Sequence, residues 1–474
     1  MSRPRLTSLL AAATVGVYLL VVVGATAALT EAVAACRSWP LCGGPVTDPQ
    51  VAIAVGHRLA AAVVAVLVVL AAVAAWREWG VEADGEAAPG GVSRRVRAAV
   101  TVALALYPAQ VAVGAVVAVT GAPVGAAGLH LAVGTAIFAS LALALAWQLE
   151  RETATNDDPD PSPEPAPAPE ESDPALTPSL SGLARVRAVV IAYVSLTKPR
   201  LMWLLCLVAA AGMALATGTT GADLTVRTVF YTLGGGVLAI GASGTFNHVL
   251  ERDIDARMDR TADRPLATHT VPVANAVVFG ALLAAASLWA FLRVNLLAAA
   301  LGLVAILFYS VVYTLLLKPN TAQNTVIGGA AGALPALIGW GAVAGSIGLP
   351  GVVLAGVVFL WTPAHFYNLA MAYREDYERG GFPMLPVVRG ETVTRKHVLY
   401  YLAATLLAAG ALTALAGLGW LYAAATVALG SVFLWAVVRL HRERTRGAAL
   451  RAFHASNAYL GTLLLAVLLD TLAV

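Results

Sequence analysis

The stretch Thr228-Val-Phe-Tyr-Thr-Leu-Gly-Gly-Gly-Val-Leu-Ala-Ile-Gly-Ala-Ser-Gly-Thr-Phe-Asn247-His-Val-Leu-Glu251-Arg-Asp-Ile-Asp255-Ala-Arg-Met-Asp259 joins an apolar run to a charged one. Its first part, Thr228 to Leu250, is long enough to cross a bilayer as a helix, which takes roughly 20 residues. Its second part sets Asn247, Glu251, Asp255 and Asp259 at successive intervals of four. On a helix these four oxygen-bearing side chains fall along one stripe.

Comparable apolar runs recur in both directions, four between Leu9 and Trp147 and nine between Leu201 and Val474. With 59% hydrophobic and only 12% charged residues, and a mean hydropathy of +0.78, the chain lies far outside soluble composition. The expected fold is an all-α integral membrane protein of about thirteen transmembrane helices, a four-helix bundle followed by a nine-helix bundle. Arg3 and Arg5 precede the first run as in a signal peptide, but the run exceeds the roughly 7–15 apolar residues of such a segment and reads as a retained span.

Basic residues collect on the cytoplasmic side of membrane proteins. With the N-terminus inside, only Arg37, Arg58, Arg227 and Arg293 of the 30 Lys and Arg fall outside or near the outer face. The expected location is the cell membrane, with both Asp-bearing segments cytoplasmic. Cys36 and Cys42 then share the first external loop, either as a disulfide, which an oxidising compartment permits, or as two thiols. Residues 151–189 are acidic and Pro-rich and read as a disordered tether between a module at 1–150 and one at 190–474.

Like charges at intervals of four destabilise a helix, so the stripe calls for a cation. Hard divalent ions such as Mg²⁺ take carboxylate oxygen, commonly through a few carboxylates plus substrate phosphates. The interleaved Arg252, Arg257, Arg260 and Arg264 suit the remaining phosphate oxygens. The plainer alternative is a solvated loop of mixed charge, against which stands the start of the stripe at the end of an apolar span. A second polar cluster, His365, Asn368, Tyr373, Arg374, Glu375, Asp376, Tyr377 and Glu378, falls on the same side by the span count, as does Lys318.

Ordered motifs across 190–474 carry a resemblance: Leu196-Thr-Lys-Pro-Arg200, Asn247 to Asp259 with Arg260-Thr-Ala-Asp-Arg-Pro-Leu266, Tyr313 to Gly329, Trp361-Thr-Pro-Ala-His-Phe366 and Gly381-Phe-Pro-Met-Leu-Pro386. This region resembles the UbiA superfamily of intramembrane prenyltransferases, and within it the protoheme IX farnesyltransferases, or haem O synthases. The resemblance implies transfer of farnesyl from farnesyl diphosphate to a vinyl group of haem B. It implies Mg²⁺ held by Asn247, Glu251, Asp255, Asp259 and Asp376, and diphosphate contacts from Arg260, Arg264, Lys318 and Arg374. His365 is a candidate to ligate or orient haem, or else a polar residue hydrogen-bonded at a helix end.

The first module carries Cys36 to Pro45, Gly56-His57-Arg58 and Gly128-Leu-His130, and resembles one half of haem A synthase. That resemblance implies a haem held between His57 and His130, the alternative being two unrelated polar residues near the interface. Ala54 stands where that family often has a functional Glu, which favours haem binding, or pairing as a homodimer, over oxidation chemistry. Membrane lipids and haem-copper oxidase assembly factors are the further partners expected; nucleic acid is not. Competing expectations are a prenyl acceptor that is a quinone precursor or lipid, and a haem carrier or transporter without chemistry.

Overall fold

The protein is described here from a computed structural model, over residues 6–29, 32–77, 92–121, 123–155, 157, 159–167 and 182–472. Arg3 and Arg5 lie outside these residues, as does the 168–181 part of the expected tether. The chain runs α1 (Leu6–Leu29), α2 (Ala32–Ala35), α3 (Pro49–Arg77), α4 (Arg94–Thr120), α5 (Val124–Glu152), α6 (Gly182–Leu196), α7 (Pro199–Thr220), α8 (Val226–Asp255) and α9 (Val273–Leu292). There follow α10 (Leu296–Leu307), α11 (Asn324–Ala344), α12 (Leu349–Ala372), α13 (Arg374–Arg379), α14 (Leu385–Val388), α15 (Gly390–Ala416), α16 (Trp420–Glu443) and α17 (Arg446–Leu472). Among the described residues, thirteen helices are long and apolar enough to cross a membrane. Helix is the form such runs must take, because a bilayer core gives backbone groups no water to bond.

Two compact units result, Met1–Asn156 with Arg395–Ala466, and Asp157–Thr394 with Val467–Val474. In the first, α3 pairs with α1, α5 pairs with α4, and α16 packs on α1. Trp147 Nε1 donates to the Tyr400 hydroxyl at 2.8 Å, and Lys396 pairs with Glu150. The last three spans thus share a compact unit with the first four.

In the second unit α11 packs on α7 and α12, and α8 on α9. The α7–α11 crossing is close enough to need glycine on both sides. A Cβ at Gly339 would stand 2.0 Å from the Ala209 carbonyl oxygen, and one at Gly212 2.3 Å from that of Ala336. Small residues of this kind let helices approach in lipid, where dispersion rather than hydrophobic burial drives packing.

Two departures from the expected helices shape the site. The charged stripe does not continue through Asp259: α8 ends at Asp255, and the chain turns through Met258 with Thr261 Oγ1 donating to the Asp255 carbonyl at 2.9 Å. Carboxylates repel at intervals of four and oppose the negative end of the helix dipole, so the helix stops inside its run of acids. The tenth helix widens into a π-helix at Phe308–Leu317.

Part of the acidic tether is held in place. Asp160 donates its N–H to the Val387 carbonyl at 2.9 Å, Ala166 donates to that of Arg379 at 2.8 Å, and Asp157 Oδ2 accepts from the Thr392 N–H at 2.9 Å. The segment is a strap over α13 and α14.

Gly339→Ala should force α7 and α11 apart and cost about 1–3 kcal/mol, the usual range for overpacking. Gly356→Ala, where a Cβ meets nothing within 4 Å, is the control. Thermal unfolding in detergent checks this, and an unchanged midpoint for Gly339→Ala would refute the close crossing.

Candidate active site

Because α8 stays helical to Asp255, it carries Asn247, Glu251 and Asp255 on one buried face; the two carboxylates are 3% and 2% exposed. Each finds a donor from a different segment. Lys198, just before α7, donates to Asn247 Oδ1. Lys318, where the π-helix ends, donates to Glu251 Oε1 at 2.6 Å. Arg264, in the turn after α8, donates through Nη1 to both Asp255 oxygens at 2.8 Å. A buried carboxylate without such a partner carries a large desolvation cost.

The donors are themselves positioned. Asn247 Nδ2 donates to Thr314 Oγ1 at 3.1 Å, and Thr314 Oγ1 donates to the Tyr309 carbonyl five residues back at 2.8 Å, the spacing of a π turn. Lys198 Nζ is 3.4 Å from the Tyr309 hydroxyl and 5.7 Å from its ring centroid. Its ammonium is drawn down to about 7, first by burial and then by the Arg264 charge. Lys318 Nζ lies 4.3 Å from the centroid of Phe382.

A second acidic cluster forms on α13. Asp376 is buried, accepts the Asp259 N–H at 3.2 Å and pairs with Arg379. Arg379 also holds Asp259 Oδ2 at 2.6 Å, although the Asp259 side chain is 80% exposed. Arg260 lies over the rings of Tyr373 and Tyr377, at 5.0 and 5.4 Å, and donates to the Tyr377 hydroxyl at 3.1 Å. Arg374 opens α13. His365 stacks on Trp361, one turn earlier in α12, at 4.2 Å.

The candidate residues therefore gather into two groups: Asn247, Glu251, Asp255, Arg264 and Lys318, and then Asp259 and Asp376. Among the described residues no three His, Cys, Asp or Glu side chains come close enough to hold a metal by themselves. Sequence reasoning gave no role to Lys198, Tyr309 or Arg379. For Lys198 the signal was present, a lysine opening an apolar run within the Thr-Lys-Pro motif; Tyr309 and Arg379 act through contacts that no local pattern announces.

Next to the first group, joined to it through Lys198, lies an apolar cavity lined by α7, α8, α11, the ends of α9 and α10 and the π-helix. Lys198, Ser243 and Tyr309 line its upper end, and Cys206 lies on its wall.

In the other unit, His57 on α3 faces Gly24 on α1, its Cε1 3.2 Å from where a glycine Cβ would stand, and His130 on α5 faces Gly114 on α4 at 2.8 Å. Both Nδ1 atoms are buried without a hydrogen-bond partner, and His130 Nε2 is 3.3 Å from Gln110 Nε2. Cys36 and Cys42 are joined by a disulfide. Arg58 fastens that loop by donating to the carbonyls of Pro40 at 2.9 Å and Cys36 at 3.2 Å.

Residues 204–462 match the UbiA prenyltransferase family. The chain is 66% identical over 470 residues to protoheme IX farnesyltransferase 1 of Natronomonas pharaonis, covering 99% of each chain. It is 63% identical over 471 residues to the protoheme IX farnesyltransferase of Haloarcula marismortui, covering 98% of each. With protoheme IX farnesyltransferase 1 of Saccharopolyspora erythraea the identity is 47% over 290 residues, 60% of this chain and 91% of that protein. A solved structure of a digeranylgeranylglyceryl phosphate synthase shares the fold, with a TM-score of 0.50 at 17% identity over 60% of this chain and 99% of that one. The chain belongs to the UbiA prenyltransferase family, in its protoheme IX farnesyltransferase branch.

Proposed function

We propose that this membrane prenyltransferase converts haem B to haem O by transferring the farnesyl group of farnesyl diphosphate to a haem vinyl group. The observation that carries the reading is a buried layer of carboxylates and cations joined through Lys198 to an apolar cavity. Such a site takes a diphosphate at its head and a hydrocarbon tail below. The names of the relatives supply the acceptor, and their identities extend over nearly the whole chain. The orientation that goes with this reading has the N-terminus and both acidic segments cytoplasmic, following the distribution of Lys and Arg.

The donor set at Asn247, Glu251 and Asp255 is all oxygen, and no described trio of acidic or His side chains closes on a metal unaided. Both facts fit Mg²⁺, which keeps water and substrate phosphate among its ligands. Asn247, Glu251 and Asp255 would hold it on one side, and Asp259 with Asp376 would hold a second ion. When bound, Mg²⁺ stabilises the charge that develops on the departing diphosphate.

Lys198, Lys318 and Arg264 bind the phosphate oxygens and supply positive charge fixed in advance of C–O cleavage. Arg260 and Arg374 extend that surface toward α13. The allylic carbon reacts with the vinyl group below the charged layer, where the cavity walls keep water from the cation until the new C–C bond has formed. Water then adds to the carbocation left beside the porphyrin and loses a proton to the departing diphosphate, which leaves with it. His365, stacked on Trp361, is placed in this reading on the porphyrin side, orienting haem.

The first four spans form a haem-binding half module in the same proposal. What supports it is the pair of unpartnered buried Nδ1 atoms on His57 and His130, each ring set against a glycine of the neighbouring helix. These residues fit a bis-imidazole haem site. Two copies pairing through this module would complete the two-half arrangement of haem A synthase.

Asp255→Ala is expected to abolish formation of haem O while the protein still inserts. Expression in a host without its own haem O synthase, with extracted haems separated by chromatography, checks this. Normal conversion would end the assignment of Asp255. His57→Ala is expected to remove a low-spin haem spectrum from the full-length protein without stopping prenyl transfer, and an unchanged spectrum would exclude His57 as a ligand.

A further inference from the structure

We propose that Phe291 is the length gauge of the tail cavity, a specificity-determining residue that limits the allylic substrate to fifteen carbons. The inference rests on the prenyl-transfer reading above and adds to it the residue that decides which prenyl chain is taken.

The cavity has a measurable depth. From Lys198, just before α7, its lining runs along that helix to Ala209, and along the antiparallel α8 from Gly244 to Thr232. The two stretches rise by eleven and twelve residues, about 16 and 18 Å in an α-helix. A farnesyl chain has eleven carbon–carbon bonds between its first and last main-chain carbons, which is about 14 Å extended at ordinary bond lengths. By the same count geranyl reaches about 9 Å and geranylgeranyl about 19 Å. The depth accepts three isoprene units and is too short for an extended fourth.

Phe291 stands toward the deep end, at the level of Gly235. It sits one residue before the end of α9, wholly buried, and lines the cavity. Its ring is clamped between two glycines from different helices. A Cβ on Gly235 of α8 would stand 3.0 Å from the ring, and one on Gly302 of α10 2.5 Å from it. One turn earlier, Ser287 Oγ donates to the Gly235 carbonyl at 2.7 Å, which locks the register of α9 on α8. A side chain held this way does not swing aside for a longer tail.

Gly236 supplies an opposite handle. It lines the cavity about 10 Å below Ser243 by helical rise, and a Cβ there meets nothing within 4 Å. A larger residue would project into open space at the level of the third isoprene unit.

The test uses membranes containing the full-length chain, haem B, Mg²⁺ and an equimolar mixture of geranyl, farnesyl and geranylgeranyl diphosphates, with the prenylated haems resolved by mass. The wild type should make the farnesyl product. Phe291→Ala should raise the ratio of geranylgeranyl to farnesyl product about tenfold or more, the usual scale of discrimination by a hydrophobic pocket. Gly236→Leu should shift product toward geranyl by a similar factor. A structural defect alone lowers all three products together and leaves their ratios unchanged. Unchanged ratios in active Phe291→Ala overturn the gauge; should that variant fail to insert, Phe291→Leu and Gly236→Leu decide by the same ratios. No prenylated haem from the wild type would instead overturn the reaction reading, an outcome distinct from either.

Discussion

Two carboxylates buried at the end of an apolar span are the constraint from which the candidate site follows. Glu251 and Asp255 are almost fully removed from solvent, and breaking a buried ion pair by removing one partner typically costs about 3–5 kcal/mol. The partners cannot come from α8 itself, whose buried face already bears the acids. They come from Lys318 and Arg264, with Lys198 on the adjoining Asn247. The start of α7, the turn after α8 and the end of the π-helix must therefore converge on one place.

The same electrostatics explains why the acidic run is divided. Continuing α8 to Asp259 would add another carboxylate to a face already crowded with them, at the helix end where the dipole is unfavourable. The turn instead sends Asp259 to Arg379 and lets its N–H bond to Asp376. One sequence stripe becomes two acidic groups, each with its own cation. The strap of residues 159–167 bonds to the backbone of the segment carrying the second group, including the Arg379 carbonyl, so α13 is held from outside as well as by its own ion pairs.

Much of this was legible in the chain. Thirteen spans follow from hydropathy because a membrane demands long apolar runs, and Glu251, Asp255, Lys318 and Arg264 stand out because charge at the edge of such a run is costly. The pairing was not legible: nothing local joins Lys318 to Glu251 across 67 residues. Nor does composition announce a π-helix, since Phe308–Leu317 reads as any apolar segment. The contacts of the strap were hidden for a related reason. Acidic, Pro-rich composition argues against a core, but Asp160 and Ala166 are held through backbone groups, which composition does not report. The compact grouping of the last three spans with the first four was equally hidden, because helices apolar on every side carry no mark of which face meets which neighbour.

The ion pairs also bear on how a charged substrate enters so apolar a place. A site lined only by carboxylates would repel a diphosphate, and one lined only by cations would have to bury their charge unpaired between turnovers. Here Lys318 and Arg264 each already hold an acid, and Lys198 holds the Asn247 amide oxygen. On the proposed reading, a diphosphate arriving with its divalent ions offers phosphate oxygens to Lys198, Lys318 and Arg264, and positive charge to Glu251 and Asp255. Binding then exchanges partners within the buried layer without adding uncompensated charge to it. Either component alone satisfies only one side of the exchange, so on that reading the arrangement would discriminate for the metal-bound diphosphate as a unit, while the cavity below would judge the hydrocarbon by its length.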